Sequence, residues 1–490
     1  MSIDPRTPVL VGVHALSERP EDPMEAAEPL DLMDQALRGA AIDAGAPALL
    51  EQLDSFWTPR GFWAYPDPGR ILSERFGASK VRTVVAEIGI LQTTILGQAA
   101  AAIARGESDV AVIVGAEARD RASRLQRAGR EVPLFEQEET TPDEVLVPHA
   151  EIMGALEIEL GLITPTIQYA MIDNALRYHE GQSIQAHRDE LASLWGDFNS
   201  VSADNPTAWN PVPMSGEAIV TASDSNRMLA YPYTKHLVSQ WNVNQAGALV
   251  LCSLERAERL GLDRSRFVYP LAVVDAEHMV TLSERRDPWR SPGFAHAGHR
   301  AFELVDRSPD EIPLWELYSC FPAAVRIQQR ELGLPLDLRV TQTGGMTFGG
   351  GPLNNFVLQS WVRMVQRMRE TAASHGVVTA ISGLITKQGI SVLGAEADRS
   401  FAHASVTEET AEDFPTVAVE PEASGRGRIS AYTVSHDHHA AHGVAMLIDL
   451  DAGGRALRVV DDPDWMALGE REELCGRAVE IEARGGVRWA

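Results

Sequence analysis

Apolar positions along the chain fall into two recurring patterns. Short unbroken runs, Val9 to Val13 and "DVAVIVGAEA" ending at Ala118, have the length and β-branched content of strands buried on both faces of a parallel sheet. Between them, Leu30 to Ala44 places Leu32, Ala36, Leu37 and Ala40 at helical spacing, and "TTILGQAAAAIARGES" reads as an alanine-rich helix. Ser55 to Trp57 and "VRTVVAEIG" supply further extended segments.

The same order returns downstream. "RFVYPLAVVDAEHM" is strand-like, "HAGHRAFELVDRS" helical, "PLWELYSCF" strand-like, "LRVTQTGG" extended, "NNFVLQSWVRMVQRMRE" helical and "GVVTAISGLI" a strand again. Two halves with one grammar of elements predict an α/β chain with an internal duplication. The stretch between the strand at Val110 to Val114 and the extended "NQAGALVLCS" is too long for an ordinary connection and predicts an inserted cap. After Pro415 the pattern changes to short alternating strands spaced as in a small barrel. The expected divisions are 1–118 for the first half, 119–215 for the insertion, 216–265 for its return strands, 266–410 for the second half and 411–490 for the C-terminal all-β domain.

Composition narrows the classes of partner. The formal charge of −26 opposes binding to nucleic acid or to an anionic membrane surface. No run of 18 apolar residues occurs, and the first residues lack a basic segment followed by an apolar one, so a cytoplasmic protein is expected. Cys252, Cys320 and Cys475 lie far apart in apolar surroundings, which predicts buried thiols rather than a disulfide framework or a zinc site.

Four segments offer chemistry. "TGGMTFGGGPLNN", Thr343 to Asn355, is a glycine-rich turn between an extended stretch and a helix, but it contains no lysine or arginine and lacks the nucleotide P-loop pattern. Its glycines predict either close approach of the backbone to a ligand or a turn kept for packing. "RDRASRLQRAGR" brings Arg119, Arg121, Arg124, Arg127 and Arg130 together, a phosphate-binding set unless the neighbouring acids pair with them. "SHDHHAAHG" gathers His436, His438, His439 and His442; neighbouring residues of an extended chain point apart, so no metal site is expected. Cys320, at the end of an apolar strand, is expected to be inert, and His149 to be structural.

Four strings, "AAAAIARGESDVAVIVGAEA", "NVNQAGALVLCS", "ELYSCFPAAVRIQQRELGL" and "TGGMTFGGGPLNN", together resemble the thiolase superfamily. The likeness is to its sterol-carrier-type acetyl-CoA acetyltransferases and type 1 thiolase-like proteins, which carry a C-terminal OB-like domain. It spans essentially the whole chain and implies an α/β/α/β/α core built from two similar halves. It also implies a nucleophilic cysteine at the amino end of the first central helix, a histidine before a proline and a second cysteine after the last core strand. Those positions fall at Gly89, Gly351 and Gly383, so the chain is not expected to act as an ordinary thiolase, and whether it is an enzyme at all stays open. Tyr318 stands where the family builds part of its oxyanion hole, which makes it the candidate acid or hydrogen-bond donor, unless its ring simply fills a core.

The ligand that the resemblance implies is an acyl-CoA-type thioester, with Gly344, Gly345 and Gly351 giving room to its arm and Arg119, Arg121 and Arg124 meeting its phosphates; no other cofactor and no metal are expected. The expected activity is acyl transfer or carbon–carbon bond chemistry without a cysteine, and the alternative is a non-catalytic acyl-CoA-binding or scaffold protein. Family members pair through the strand before the nucleophile helix, so Val81 to Ala86 is the expected edge for a homodimer, with a monomer as the other outcome.

Overall fold

A computed structural model describes residues 3–437, 440–483 and 485–490. The first sheet holds β1 (Pro8–Ser17), β2 (Ser55–Pro59), β3 (Arg82–Ala86), β4 (Val110–Ala118), β5 (Glu144–Leu146) and β6 (Asn244–Ser253) in the order β1-β6-β4-β2-β3-β5. The second holds β7 (Tyr269–Ala276), β8 (Leu314–Glu316), β9 (His375–Ser382), β10 (Lys387–Gly394) and β11 (Ala402–Ser405) in the order β8-β9-β10-β7-β11. Pairing repeats between them: β1 is antiparallel to β6 and β6 to β4, with β2 parallel to β4, just as β7 is antiparallel to β10 and β10 to β9, with β8 parallel to β9. The second half has no counterpart of β3, since the stretch expected to be extended, "LRVTQTGG", forms no strand and touches β8's end through the bond from Leu317 N to Val340 O at 2.9 Å.

Two helices, α2 (Gln92–Ala104) and α6 (Phe356–Thr371), run between the sheets, while α1 (Pro29–Asp43) covers the outside of the first and α5 (Pro292–Val305) that of the second. Alternation along β4 sets this layering. Ala111 and Ile113 join the core formed with Ile95, Ala99 and Ile103 of α2 and Val357, Trp361 and Val365 of α6. Val110, Val112 and Val114 point the other way, into the core shared with Leu32, Ala36 and Ala40 of α1. A strand covered on both faces must be apolar at every position, which explains its unbroken run. The α/β/α/β/α core is thereby formed.

The insertion contributes α3 (Arg119–Arg127), α4 (Ile184–Ser202), a helix over Pro165–His179 and strand β5. β6 begins only at Asn244; of residues 216–243, expected with the first half, the strand Met228–Ala230 instead pairs with the C-terminal sheet at Ala230 and Ser435. That sheet contains β12 (Gly425–Asp437), β13 (Ala440–Leu450), β14 (Arg455–Val460), β15 (Ala478–Ile481) and β16 (Val487–Trp489), in the order β14-β13-β12-β15-β16, around its own apolar cluster of Ile429, Val434, Met446 and Leu474. Buried Arg455 fastens it to the second half by donating to the carbonyls of Arg285 and Arg286. Among the described residues, no helix is long and apolar enough to cross a membrane.

Candidate functional site

The amino ends of the two central helices meet. Gln92, the first residue of α2, donates from its amide to the carbonyl of Asn354 at 3.0 Å, and Asn354 in turn donates to the carbonyl of Arg60 at 3.1 Å. Three residues earlier, Gly89 has φ of 108°, a conformation that a side chain opposes. A Cβ there would lie 3.2 Å from the ring of Pro148 and 3.8 Å from Nζ of Lys387. The Gly89 carbonyl accepts a hydrogen bond from that Nζ and another from Ser382 Oγ at 3.1 Å.

Between β9 and β10, Gly383, Leu384 and Ile385 have φ of 59°, 55° and 68°. A β-branched residue at such an angle is a genuine outlier, sustained here because both Leu384 and Ile385 are buried in the core. Arg285, fully buried, donates to the carbonyls of Gly383 at 3.4 Å and Val280 at 3.2 Å, and burial draws its guanidinium down to about 10. Burial also lowers the Lys387 ammonium below the usual lysine range, with the Glu277 carboxylate pulling the other way.

The glycine-rich turn hangs on one carboxylate. Glu316, the last residue of β8, is fully buried and accepts from Thr343 N at 2.9 Å, Thr343 Oγ1 at 2.8 Å, Thr341 Oγ1 at 3.2 Å and the backbone N–H of Gln342. Desolvation pushes its acid up to about 7, and these donors oppose that rise. Beyond it, Gly344 and Gly345 adopt φ of 85° and 70°. A Cβ at Gly344 would meet Ser202 Cβ at 2.4 Å, one at Gly345 would meet Phe198 Cδ1 at 2.5 Å, and one at Gly351 would meet Ser239 Oγ at 2.1 Å. The room expected for a ligand's arm at these glycines is therefore filled by α4 and by Ser239, and the packing role is the one on view.

Tyr318 lies half-buried between the two main cores, its ring edge-on to Phe356 at 5.7 Å and its backbone fixed by Thr379 Oγ1 at 2.8 Å. Burial, with a smaller push from the Cys320 thiol, raises the phenol well above its ordinary range, so it suits donation and not proton abstraction. Burial likewise pushes the thiols of Cys252 and Cys320 up to about 12 and that of Cys475 higher still. None of the three is poised as a thiolate.

Of the basic run, Arg121 donates to the Ala26 carbonyl at 3.0 Å and Arg124 to the carbonyls of Pro20, at 2.8 Å, and Glu21. Both tie down the loop before α1. Arg119 differs: its guanidinium lies 4.8 Å from the Phe62 ring and 4.4 Å from the Trp241 ring, and its Nε has no partner. Phe62 and Trp241 are 48% and 45% exposed. Among the histidines, His436 contacts Glu470 at 2.5 Å, His438 and His439 lie outside the described residues, and among the described residues no metal-binding group forms.

The edge of β3 is not free. β5 lies parallel against it, Val84 opposite Glu144 and Ala86 opposite Leu146, and Asp143 accepts from Thr83 N at 2.8 Å. The strand expected to pair two copies of the chain thus pairs with its own insertion. Sequence reasoning missed β5, Glu316, Gln92 and Lys387; only the last left a signal, because lysine is so scarce in this chain.

No family model matches the chain. It is 24% identical over 245 residues to an acetyl-CoA acetyltransferase of Methanothermobacter thermautotrophicus, a match covering 46% of this chain and 61% of that protein. Among solved structures it is similar to a monomeric SCP2-thiolase like protein type 1 from Mycobacterium smegmatis, with a TM-score of 0.85, 28% identity and complete coverage of both chains. It also resembles the Ltp2-ChsH2(DUF35) aldolase, with a TM-score of 0.62 and 19% identity over 81% of this chain and 100% of that one, a likeness of fold.

Proposed function

The chain belongs to the thiolase superfamily, and on that premise we propose that it binds an acyl-CoA-type thioester where α2 and α6 meet, and that no acyl-cysteine forms there. The observation that carries this reading is Gly89, with its φ of 108°, at the amino end of α2, in a chain whose first thiol in sequence is the buried Cys252. A glycine offers no nucleophile, and a buried thiol pushed up to about 12 is almost wholly protonated at neutral pH.

The Tyr318 phenol supplies a donor for a carbonyl or enolate oxygen, where charge builds up during reaction at a thioester. Arg119, with an unpartnered Nε between two exposed rings, is the cation we assign to the phosphate end of the ligand, since planar guanidinium suits both phosphate and ring stacking. Calorimetry with acetyl-CoA and longer acyl-CoAs tests the reading. Saturable heat that weakens in Arg119→Ala supports it; no heat with any acyl-CoA, or an acylated cysteine peptide after turnover, overturns it. A Tyr318→Phe variant that keeps full turnover removes the phenol from the chemistry.

A second reading, a ligand-binding protein without turnover, is favoured by Pro148 lying over Gly89 and by the filling of Gly344 and Gly345. A mass-spectrometric screen of 3-oxo and 3-hydroxy acyl-CoAs separates the two: product formation selects the enzyme.

A further inference from the structure

Of the 43 lysine and arginine residues only Lys80, Lys235 and Lys387 are lysine. Lys80 and Lys235 are exposed, whereas Lys387 is 4% exposed. Elsewhere this chain buries its cations as arginine, at Arg177, Arg285, Arg326 and Arg455. The distinction is chemical, because a guanidinium keeps its proton in proteins while a desolvated ammonium gives its proton up and becomes a nucleophile. The one buried lysine stands beside Gly89.

Its placement is built in. Lys387 is the first residue of β10, directly after the left-handed turn at Gly383, Leu384 and Ile385, whose two buried apolar side chains fix where the strand starts. Nζ donates to the Gly89 carbonyl and lies 3.8 Å from the point a Gly89 Cβ would occupy, so the amine sits at the amino end of α2. Ser382 Oγ shares the same carbonyl at 3.1 Å. Nζ's hydrogen-bond partner is a neutral carbonyl and not a carboxylate. Around it, Glu277 acts on the amine only through its field, and Arg285 holds the turn through the Gly383 carbonyl.

We infer that Lys387 is the nucleophile of this site: its ε-amine adds to the ketone carbon of a 3-oxoacyl thioester and holds it as an imine. This rests on the thioester-binding reading above. The nitrogen lone pair forms the new N–C bond, the C=O pair moves to oxygen, and the two N–H protons pass to that oxygen, which leaves as water. Amine plus ketone thus gives imine plus water, and water reverses the step without oxidant or second substrate. The protonated imine withdraws electrons from the carbon between ketone and thioester, which is what bond making or breaking at that carbon requires. Removal of the amine from solvent favours its neutral, reactive form. The Pro148 ring lies against Gly89 beside it.

The full-length protein is incubated with acetoacetyl-CoA, reduced with sodium cyanoborohydride, digested and analysed by peptide mass spectrometry. The expected result is a reduced adduct on the peptide carrying Lys387, at least tenfold above that on Lys80 or Lys235 and lost to background in Lys387→Arg and Lys387→Gln, with circular dichroism reporting that each variant is folded. Equal labelling of the three lysines, or no adduct, overturns the inference. Acetyl-CoA, which has no ketone, is titrated in parallel by calorimetry. Heat from acetyl-CoA without any adduct from acetoacetyl-CoA sinks the amine and leaves the binding site standing. The reverse, an enaminone of 2,4-pentanedione on Lys387 with no heat from any acyl-CoA, keeps the amine and sinks the thioester.

Discussion

The two halves share their strand pairings but differ in one connection. From β4 to β6 the chain runs through residues 119–243, whereas from β9 to β10 it turns through Gly383–Thr386. The long connection covers: it lays Pro148 over Gly89, Phe198 and Ser202 against the glycine-rich turn, Ser239 against Gly351, and β5 along β3. The short one presents: its left-handed residues set the start of β10 and bring Lys387 to Gly89. One duplicated scaffold therefore divides the work at its site, with the elaborated half closing the space and the compact half supplying the reactive group. The elaborated half also covers, with β5, the edge expected to pair two copies.

The compact half is broken most severely at Glu316. Glu316→Ala leaves the N–H groups of Gln342 and Thr343 and two threonine hydroxyls buried without their acceptor, and is expected to lower stability by on the order of 3 kcal/mol. Urea unfolding measures it; a loss below about 1 kcal/mol would mean that the turn stands without this carboxylate. Protonation gives an independent sign. The folded acid is raised from its ordinary 4.5 to about 7, so between these values the native chain holds a proton that the unfolded chain has released. Stability from this group is therefore full below about 4.5, falls as pH rises to about 7, and is level above. Compared with Glu316→Gln, the wild-type chain should show that extra decline in a melting series across this range; parallel curves would remove Glu316 as its source.

The contact between halves is sharpened at Gly344. A methyl group there enters both a φ of 85° and a clash at 2.4 Å with Ser202 of α4, so Gly344→Ala should destabilise by about 2–3 kcal/mol. Ser202→Gly removes only the Cβ contact, because Ser202 Cα and N would still lie 2.6 Å and 2.8 Å from the new methyl group, so the double variant should recover only part of the loss. Strict additivity in this double-mutant cycle would deny that α4 is what fills the turn.

How much of this was legible depends on the range of the interaction. The run ending at Ala118, the alanine-rich α2 and the amphipathic α6 are local patterns, and their recurrence in order disclosed the duplication. The glycines of Thr343 to Asn355 announced left-handed backbone and need of space, but nothing nearby in sequence says that Ser202 or Ser239 occupies that space. Arg121 and Arg124 looked like phosphate ligands because their acceptors, backbone carbonyls of residues 20–26, are about a hundred positions away. Glu316 was invisible for the same reason, as a buried carboxylate is recognised only once its donors are known. β5 spans three residues, Glu144–Leu146, inside a polar stretch, too short for any periodicity to show.

β5 also offers the gentlest test of the comparison. The Leu146 carbonyl accepts from Glu87 N, so Glu144 and Leu146 turn their backbone groups toward β3 and Val145 turns away; Glu144→Pro therefore removes a pairing N–H from a three-residue element at the rim of the sheet. Neither apolar burial nor a buried charge is lost there, since the pair of Arg82 with Glu144 is largely solvated. The expected loss of stability is therefore only about 1 kcal/mol. The larger change should appear in association, because β3 would then present unpaired N–H and C=O groups along Thr83 to Ala86 to a second copy. The wild-type chain should sediment as a single copy and the variant should gain mass as concentration rises. A variant that stays single at the highest concentrations, while circular dichroism shows it folded, would mean that β5 is not what keeps two chains apart. A wild-type chain that already sediments as a pair would mean that the insertion, for all it covers, leaves another face to join.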